Sequence, residues 1–204
     1  MFPVNLPNVL TVLRILLVPV VVVALLNETP NGDLLAAIVF ALASVTDWVD
    51  GYLARSRGSI TTFGKLMDPI ADKLLVVGAL VSLVSLDRLQ AWVAMVIIAR
   101  ELAVTMSRMA ATGQGVVIAA NRWGKVKTAL QVLMIFLLIT VSGSPLWLDL
   151  LVYGTVAVTV ISGLEYFFGL RRSLNAAKQR EQAPAAPRSP QADRAAEQVA
   201  LAQA

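Results

Sequence analysis

The sequence predicts an all-α polytopic membrane protein with six transmembrane helices, and three observations carry that expectation. Of 204 residues, 57% are apolar and only 15% charged, against about 25% charged in an average soluble domain, and the mean hydropathy is +0.73. Six apolar segments of bilayer-crossing length succeed one another along the chain. Basic residues gather in alternate connections, the asymmetry that orients helices in a membrane.

The first segment, Val9 to Leu26, is interrupted only by Arg14 and is too long for a signal-peptide core. No basic stretch precedes it and no small-residue cleavage site follows, so it reads as a retained span. It ends where Asn27-Glu28-Thr29-Pro30-Asn31-Gly32-Asp33 supplies residues that stop helices. Further apolar segments cover 34–54, 66–86, 89–109, 126–143 and 147–168. Between them lie Ser56 to Thr62, the Leu86-Asp87-Arg88 turn, Gly113 to Lys127 and Ser142-Gly143-Ser144-Pro145.

Charge tests the count independently of hydropathy. Odd-numbered connections carry Glu28 and Asp33, then Asp87 with Arg88, then Asp149. Even-numbered ones carry Arg55, Arg57 and Lys65, then Arg108, Arg122, Lys125 and Lys127. Arg171, Arg172, Lys178 and Arg180 follow the last span, which puts both termini and every even connection in the cytoplasm. Residues 1–177 therefore read as one six-helix catalytic domain. Residues 178–204, rich in Ala, Gln, Pro and charge, read as a disordered or weakly helical cytoplasmic tail.

A net charge of +4 and a pI near 9.8 would suit a nucleic-acid partner, yet the basic residues form no continuous patch, so none is expected. The absence of Cys and His excludes thiolate chemistry, iron–sulfur clusters, imidazole ligands and the commonest general base. Chemistry is left to carboxylates, Lys, Arg, hydroxyls and hard metal ions.

The densest anomaly is TDWVDGYLARSRGSITTFGKLMDPIADK, residues 46–73, with four aspartates near membrane ends, where uncompensated carboxylates are costly. Asp47, Asp50 and Ala54 are spaced for one face of the second helix, and Gly64, Asp68 and Asp72 for one face of the third. Four facing carboxylates repel unless cations lie between them, and hard divalent ions, Mg²⁺ or Mn²⁺, suit oxygen donors. A two-metal site for a phosphoryl or diphosphate substrate follows. Arg55 and Lys65 add positive charge, and Gly51 and Ala54 leave room beside the carboxylates. Spacing alone leaves a nucleotide, a prenyl diphosphate and a lipid phosphate open. Helix capping, with Asp68 ahead of Pro69, accounts for one carboxylate and leaves three.

A second constellation comprises Arg100, Glu101, Arg108, Lys125 and Lys127. Arg100 and Arg108 fall roughly on one face of the fourth helix, and with Lys125 or Lys127 they offer charge-assisted contacts to the phosphate of a second, water-soluble substrate. Glu101 is available to orient one of them. The competing role for Arg108, Arg122 and the lysines is anchoring helix ends to anionic lipid. Arg14 and Arg100 within apolar helices each need a partner. Trp92, Trp123 and Trp147 fit an aromatic interface belt, and Trp48 a packing position.

Asp47-x-x-Asp50-Gly51-x-x-Ala54-Arg55, eight residues, then Gly64-x-x-x-Asp68-x-x-x-Asp72 resembles the signature of the CDP-alcohol phosphatidyltransferase family, with every fixed position present. Asn5 to Thr11 with Arg14, Phe63 to Lys73, Arg100-Glu101 and Gly124 to Thr128 resemble its glycerol-phosphate branch. The resemblance spans about residues 4–170. It implies that family's six-helix fold, a homodimer in the cell inner (cytoplasmic) membrane, an active site on the cytoplasmic side, and CDP-diacylglycerol and sn-glycerol 3-phosphate as substrates. It further implies that Asp47, Asp50, Asp68 and Asp72 ligate two divalent cations and that Asp72 is the base toward the acceptor hydroxyl. By the same resemblance, Gly51, Ala54, Arg55 and Gly64, with Asp47, Asp50 and Asp68, are expected on the cytidine-diphosphate side. Inositol phosphate, serine or phosphatidylglycerol as acceptor is the nearest alternative. Transport is disfavoured because the carboxylates sit at one membrane face and no inverted repeat is visible.

Overall fold

A computed structural model of the chain describes residues 6–27, 29–57, 62–113 and 122–182; side chains at 6–8, 47–57, 62–69, 72, 112, 122–123 and 173–182 lie outside that description. The described residues form six α-helices: α1 Leu6–Leu26, α2 Gly32–Arg57, α3 Thr62–Ser85, α4 Ala91–Gly113, α5 Arg122–Thr140 and α6 Leu146–Gln182. Each corresponds to one expected segment. Several run past the apolar windows because a helix continues through its charged ends. Thus α3 begins at Thr62, α5 covers Arg122–Thr140, and α6 extends to Gln182, five residues beyond the boundary placed at 177.

Local chemistry explains the turns. The α3–α4 connection is a Schellman motif: Arg88 N–H donates to Leu83 O at 2.9 Å and Asp87 N–H to Val84 O at 3.1 Å. Asp87 takes the left-handed position with φ of 56°, a conformation Asp tolerates better than most side chains. Asp33 and Asp149 stand in the first turns of α2 and α6, where a carboxylate complements the helix dipole.

Cross-helix pairs fix the directions. Arg88, just before α4, donates to Ile139 O at the end of α5 at 3.2 Å, while Glu101 of α4 bonds Lys127 near the start of α5; these helices are antiparallel. Along α4 and α6 the pairs Trp92 with Tyr153, Arg100 with Ser162 and Arg108 with Tyr166 ascend together, so these helices run parallel. The C-terminal part of α2, the N-terminal part of α3, the C-terminal part of α4 and the N-terminal part of α5 therefore share one end of the bundle.

The core joins all six helices through Val21, Phe40, Leu80, Leu83, Ile97, Met134, Ile135 and Leu148, each at most 2% exposed. Helix α1 packs against α2 and α3, α5 and α6 against each other, and α4 against α6. Outside this core the bundle exposes apolar faces, with Val9, Val12, Leu13, Leu16, Val20 and Val23 on α1 and Met95 at 71% on α4. Such surface is far beyond what a water-exposed monomer carries and marks a membrane-associated helical protein. Among the described residues, Val9–Leu26 and Leu146–Arg172 are long and apolar enough by themselves to cross a bilayer, whereas Gly32–Thr46 and Lys73–Ser85 are shorter apolar stretches. Length and apolarity alone thus do not establish the expected six spans. The polar ends of α2 and α3 and Arg100-Glu101 within α4 dilute those helices.

Candidate active site

The carboxylate pattern occupies two consecutive helices at the shared end of the bundle. Asp47, Asp50, Gly51, Ala54 and Arg55 lie in the last three turns of α2, and Gly64, Asp68 and Asp72 in the first three of α3. The side chains of all these residues, and of Lys65, fall outside the described residues. Among the described residues no group of three or more Asp, Glu, His or Cys side chains is placed to hold a metal ion, a statement that does not reach the four aspartates.

One residue beyond Asp72 the description resumes, and it resolves a buried ionic cluster. Lys73 Nζ of α3 donates to Glu101 Oε2 of α4 at 2.6 Å. Lys127 of α5 donates to Glu101 Oε1, and Arg100 Nη1 reaches the same oxygen at 3.0 Å. Glu101 and Lys127 side chains are only 5% and 3% exposed. Three cations from three helices converge on one carboxylate. In a low-dielectric interior such charges persist only when paired and hydrogen-bonded, and here the arrangement ties α3, α4 and α5 together next to Asp72.

The cluster extends to α6. Arg100 Nη2 donates to Ser162 Oγ at 2.9 Å, and Ser162 in turn donates to Thr159 O at 3.1 Å. The Ser162 proton is thus engaged on its own helix and a lone pair faces the guanidinium. Two turns further along α4, the Arg108 guanidinium lies over the Tyr166 ring, 5.7 Å from its centroid, within cation–π range.

The residues expected on the acceptor side therefore fall into two sets. Arg100 and Lys127 are brought together on Glu101, and Lys127 is buried there instead of anchoring a helix end in lipid. Arg108 and Lys125 are exposed. Sequence reasoning named Glu101 as an orienting group but did not single out Lys73 within the cluster or any residue of α6. A Lys directly following the last signature aspartate was the available signal. Arg14 is buried at 3% exposure, as a guanidinium within an apolar helix requires. Trp92 and Trp147 are about half exposed, fitting an interfacial belt, whereas the side chains of Trp48 and Trp123 lie outside the described residues.

Residues 4–161 match the CDP-alcohol phosphatidyltransferase family. A CDP-diacylglycerol-glycerol-3-phosphate 3-phosphatidyltransferase of Bacillus subtilis is 43% identical over 181 residues, covering 80% of this chain and 93% of the relative. A probable phosphatidylglycerophosphate synthase of Mycobacterium tuberculosis is 39% identical over 180 residues, covering 86% of each. A CDP-diacylglycerol-glycerol-3-phosphate 3-phosphatidyltransferase of Rickettsia felis is 38% identical over 169 residues, covering 80% of this chain and 93% of the relative. With its complete carboxylate spacing on α2 and α3 and a match over most of its length, this chain belongs to the CDP-alcohol phosphatidyltransferase family.

Proposed function

We propose that the chain transfers the phosphatidyl group from CDP-diacylglycerol to sn-glycerol 3-phosphate, releasing CMP and forming phosphatidylglycerol phosphate for phospholipid synthesis. The observation that carries this reading is the unbroken Asp47-to-Asp72 signature on two consecutive helices in a chain so similar to phosphatidyltransferases named for that acceptor. As a membrane enzyme it crosses the bilayer six times, with both termini and the site on the cytoplasmic side of the cell inner membrane, and works as a homodimer. The up-and-down directions of α3 to α6 and the basic residues of the even connections support that topology.

Asp47, Asp50, Asp68 and Asp72 would hold two divalent cations. The donor set fits, since four carboxylates in a chain without His or Cys offer the hard oxygen ligands of Mg²⁺ and Mn²⁺. When bound, the cations neutralise the diphosphate oxygens and stabilise charge on the departing CMP. Gly51, Ala54 and Gly64 leave space for the cytidine diphosphate, and Arg55 adds charge to it. Asp72 takes the proton of the acceptor hydroxyl as its oxygen attacks the phosphorus bearing diacylglycerol. The bond from that phosphorus to the CMP oxygen breaks, and no covalent enzyme intermediate is needed. Arg108 and Lys125 meet the acceptor phosphate, with Arg100 and Lys127 contributing positive potential from the Glu101 cluster.

Product analysis decides the acceptor. The purified protein in mixed micelles, given CDP-diacylglycerol and either Mg²⁺ or Mn²⁺, is offered sn-glycerol 3-phosphate, inositol phosphate, serine or phosphatidylglycerol, and lipid products are resolved by mass. Phosphatidylglycerol phosphate with stoichiometric CMP is expected. A product formed only from another acceptor would overturn the assignment.

A further inference from the structure

We propose that one turn of α6, Ser162 to Tyr166, is the positioning wall of the acceptor subsite, setting Arg100 through Ser162 and Gly163 and setting Arg108 through Tyr166. This rests on the reading of Arg108 as an acceptor-phosphate group and of Arg100 as a source of positive potential beside it. The turn falls just beyond residues 4–161 matched to the family.

Three contacts carry the inference. Arg100 Nη2 donates to Ser162 Oγ at 2.9 Å, while its Nη1 is held by Glu101 at 3.0 Å, so the guanidinium plane is fixed from two helices. A Cβ on Gly163 would lie 3.2 Å from Arg100 Cγ and 3.6 Å from its Nε. The bare backbone at 163 is therefore what lets the Arg100 stem lie against α6. One turn along, the Tyr166 ring sits 5.7 Å beneath the guanidinium carbon of Arg108. Because α4 and α6 run parallel, the two arginines, two turns apart on α4, meet residues one turn apart on α6, and their long side chains converge on that turn.

The consequence is pre-organisation. An exposed arginine on a single helix samples many rotamers, and immobilising it on binding costs free energy. A ring under the Arg108 guanidinium and a hydroxyl behind Arg100 restrict both before phosphate arrives. The contact to Arg108 is made by the Tyr166 ring, while its hydroxyl is buried and has no hydrogen-bond partner among the described residues.

The test uses the full-length protein in micelles, with acceptor and donor varied separately. Tyr166→Leu is expected to raise the KM for sn-glycerol 3-phosphate about fivefold, the scale of one cation–π contact, with kcat and the CDP-diacylglycerol KM unchanged. Tyr166→Phe keeps the ring and restores the wild-type KM. Gly163→Ala, which pushes on Arg100 by a few tenths of an ångström, raises the same KM and provides a second readout should Tyr166→Leu fail to fold. Arg108→Ala is the reference. If Arg108→Ala raises the acceptor KM while Tyr166→Leu and Gly163→Ala leave it at wild type, the role of α6 is overturned and the acceptor reading stands. If Arg108→Ala leaves the acceptor KM unchanged, the acceptor reading fails and the inference with it. Equal rises in both KM values, or loss of kcat with a lowered unfolding midpoint, would reduce the turn to packing.

Discussion

Lys127 of α5 and Glu101 of α4 form an ion pair with both side chains almost wholly buried. The carboxylate also receives Lys73 and Arg100, so the partners are unequal. Glu101 is the only anion among three described cations, whereas Lys127 is one cation of three. Removing the anion takes the carboxylate away from the buried Lys127 and from Arg100 and the partly exposed Lys73 beside it; removing the lysine leaves a carboxylate that is still doubly paired.

That inequality predicts an asymmetric mutant pair. Glu101→Gln should destabilise the protein by about 3–5 kcal/mol, the range for stranding buried charge. Lys127→Met should cost clearly less, because its methylenes are already packed and Glu101 keeps two donors. Thermal unfolding of both variants in the same detergent measures the difference. Equal losses would mean that the cluster behaves as an isolated pair.

How far the sequence alone reaches can be judged from these same residues. All six helices were legible because apolar run length and loop chemistry are local, and the α3–α4 turn at Asp87 lies where the Leu86-Asp87-Arg88 break was read. The partner of Lys127 was not legible. Glu101 lies 26 residues away and Lys73 a further 28 from it, and hydropathy does not fix the helix rotations that make them meet. Lys127 therefore read as a phosphate ligand, with a lipid anchor as the alternative, and its burial against Glu101 follows only from the packed bundle. The aspartate pattern needs no packing to be read, because its spacing lies within two consecutive helices, α2 and α3.

Divalent-metal dependence separates the four aspartates. Chelation should abolish turnover, and Mg²⁺ or Mn²⁺ should restore it. Asp72→Asn is expected to keep the unfolding midpoint and donor binding while turnover falls about 10²–10⁴-fold, the contribution of a general base. All four variants should raise the metal concentration needed for half-maximal rate, but for Asp47→Asn, Asp50→Asn and Asp68→Asn saturating metal should recover more of the turnover than it does for Asp72→Asn. Wild-type turnover by purified Asp72→Asn would remove it as the base.

At the opposite end of the bundle, Arg88 clamps three elements, donating to Asp33 Oδ2 at 2.7 Å and to Ile139 O at 3.2 Å. Both side chains are partly exposed, 33% and 43%, so screening limits the ion pair to about 0.5–1 kcal/mol. Arg88→Ala should lower the unfolding midpoint slightly and leave kcat and both KM values unchanged. A shift in acceptor KM would show that this end communicates with the site.

A close approach between two helices gives the last prediction. A Cβ at Gly78 of α3 would stand 3.1 Å from Val18 Cγ1 and 3.2 Å from Val22 Cγ2 of α1, so the α1–α3 spacing depends on a residue with no side chain, as small-residue interfaces between membrane helices do. Gly78→Ala gains helix propensity of about 1 kcal/mol and loses a similar amount to crowding, leaving stability near wild type. Gly78→Leu cannot be absorbed by rotamer changes in two β-branched valines, whose χ1 is restricted within a helix, and should cost about 1–3 kcal/mol or more. Adding Val18→Ala to Gly78→Leu opens space on α1 and should recover part of that loss in the same unfolding assay. Wild-type stability of Gly78→Leu alone would mean that α1 and α3 are free to separate, and that their spacing is set elsewhere in the bundle.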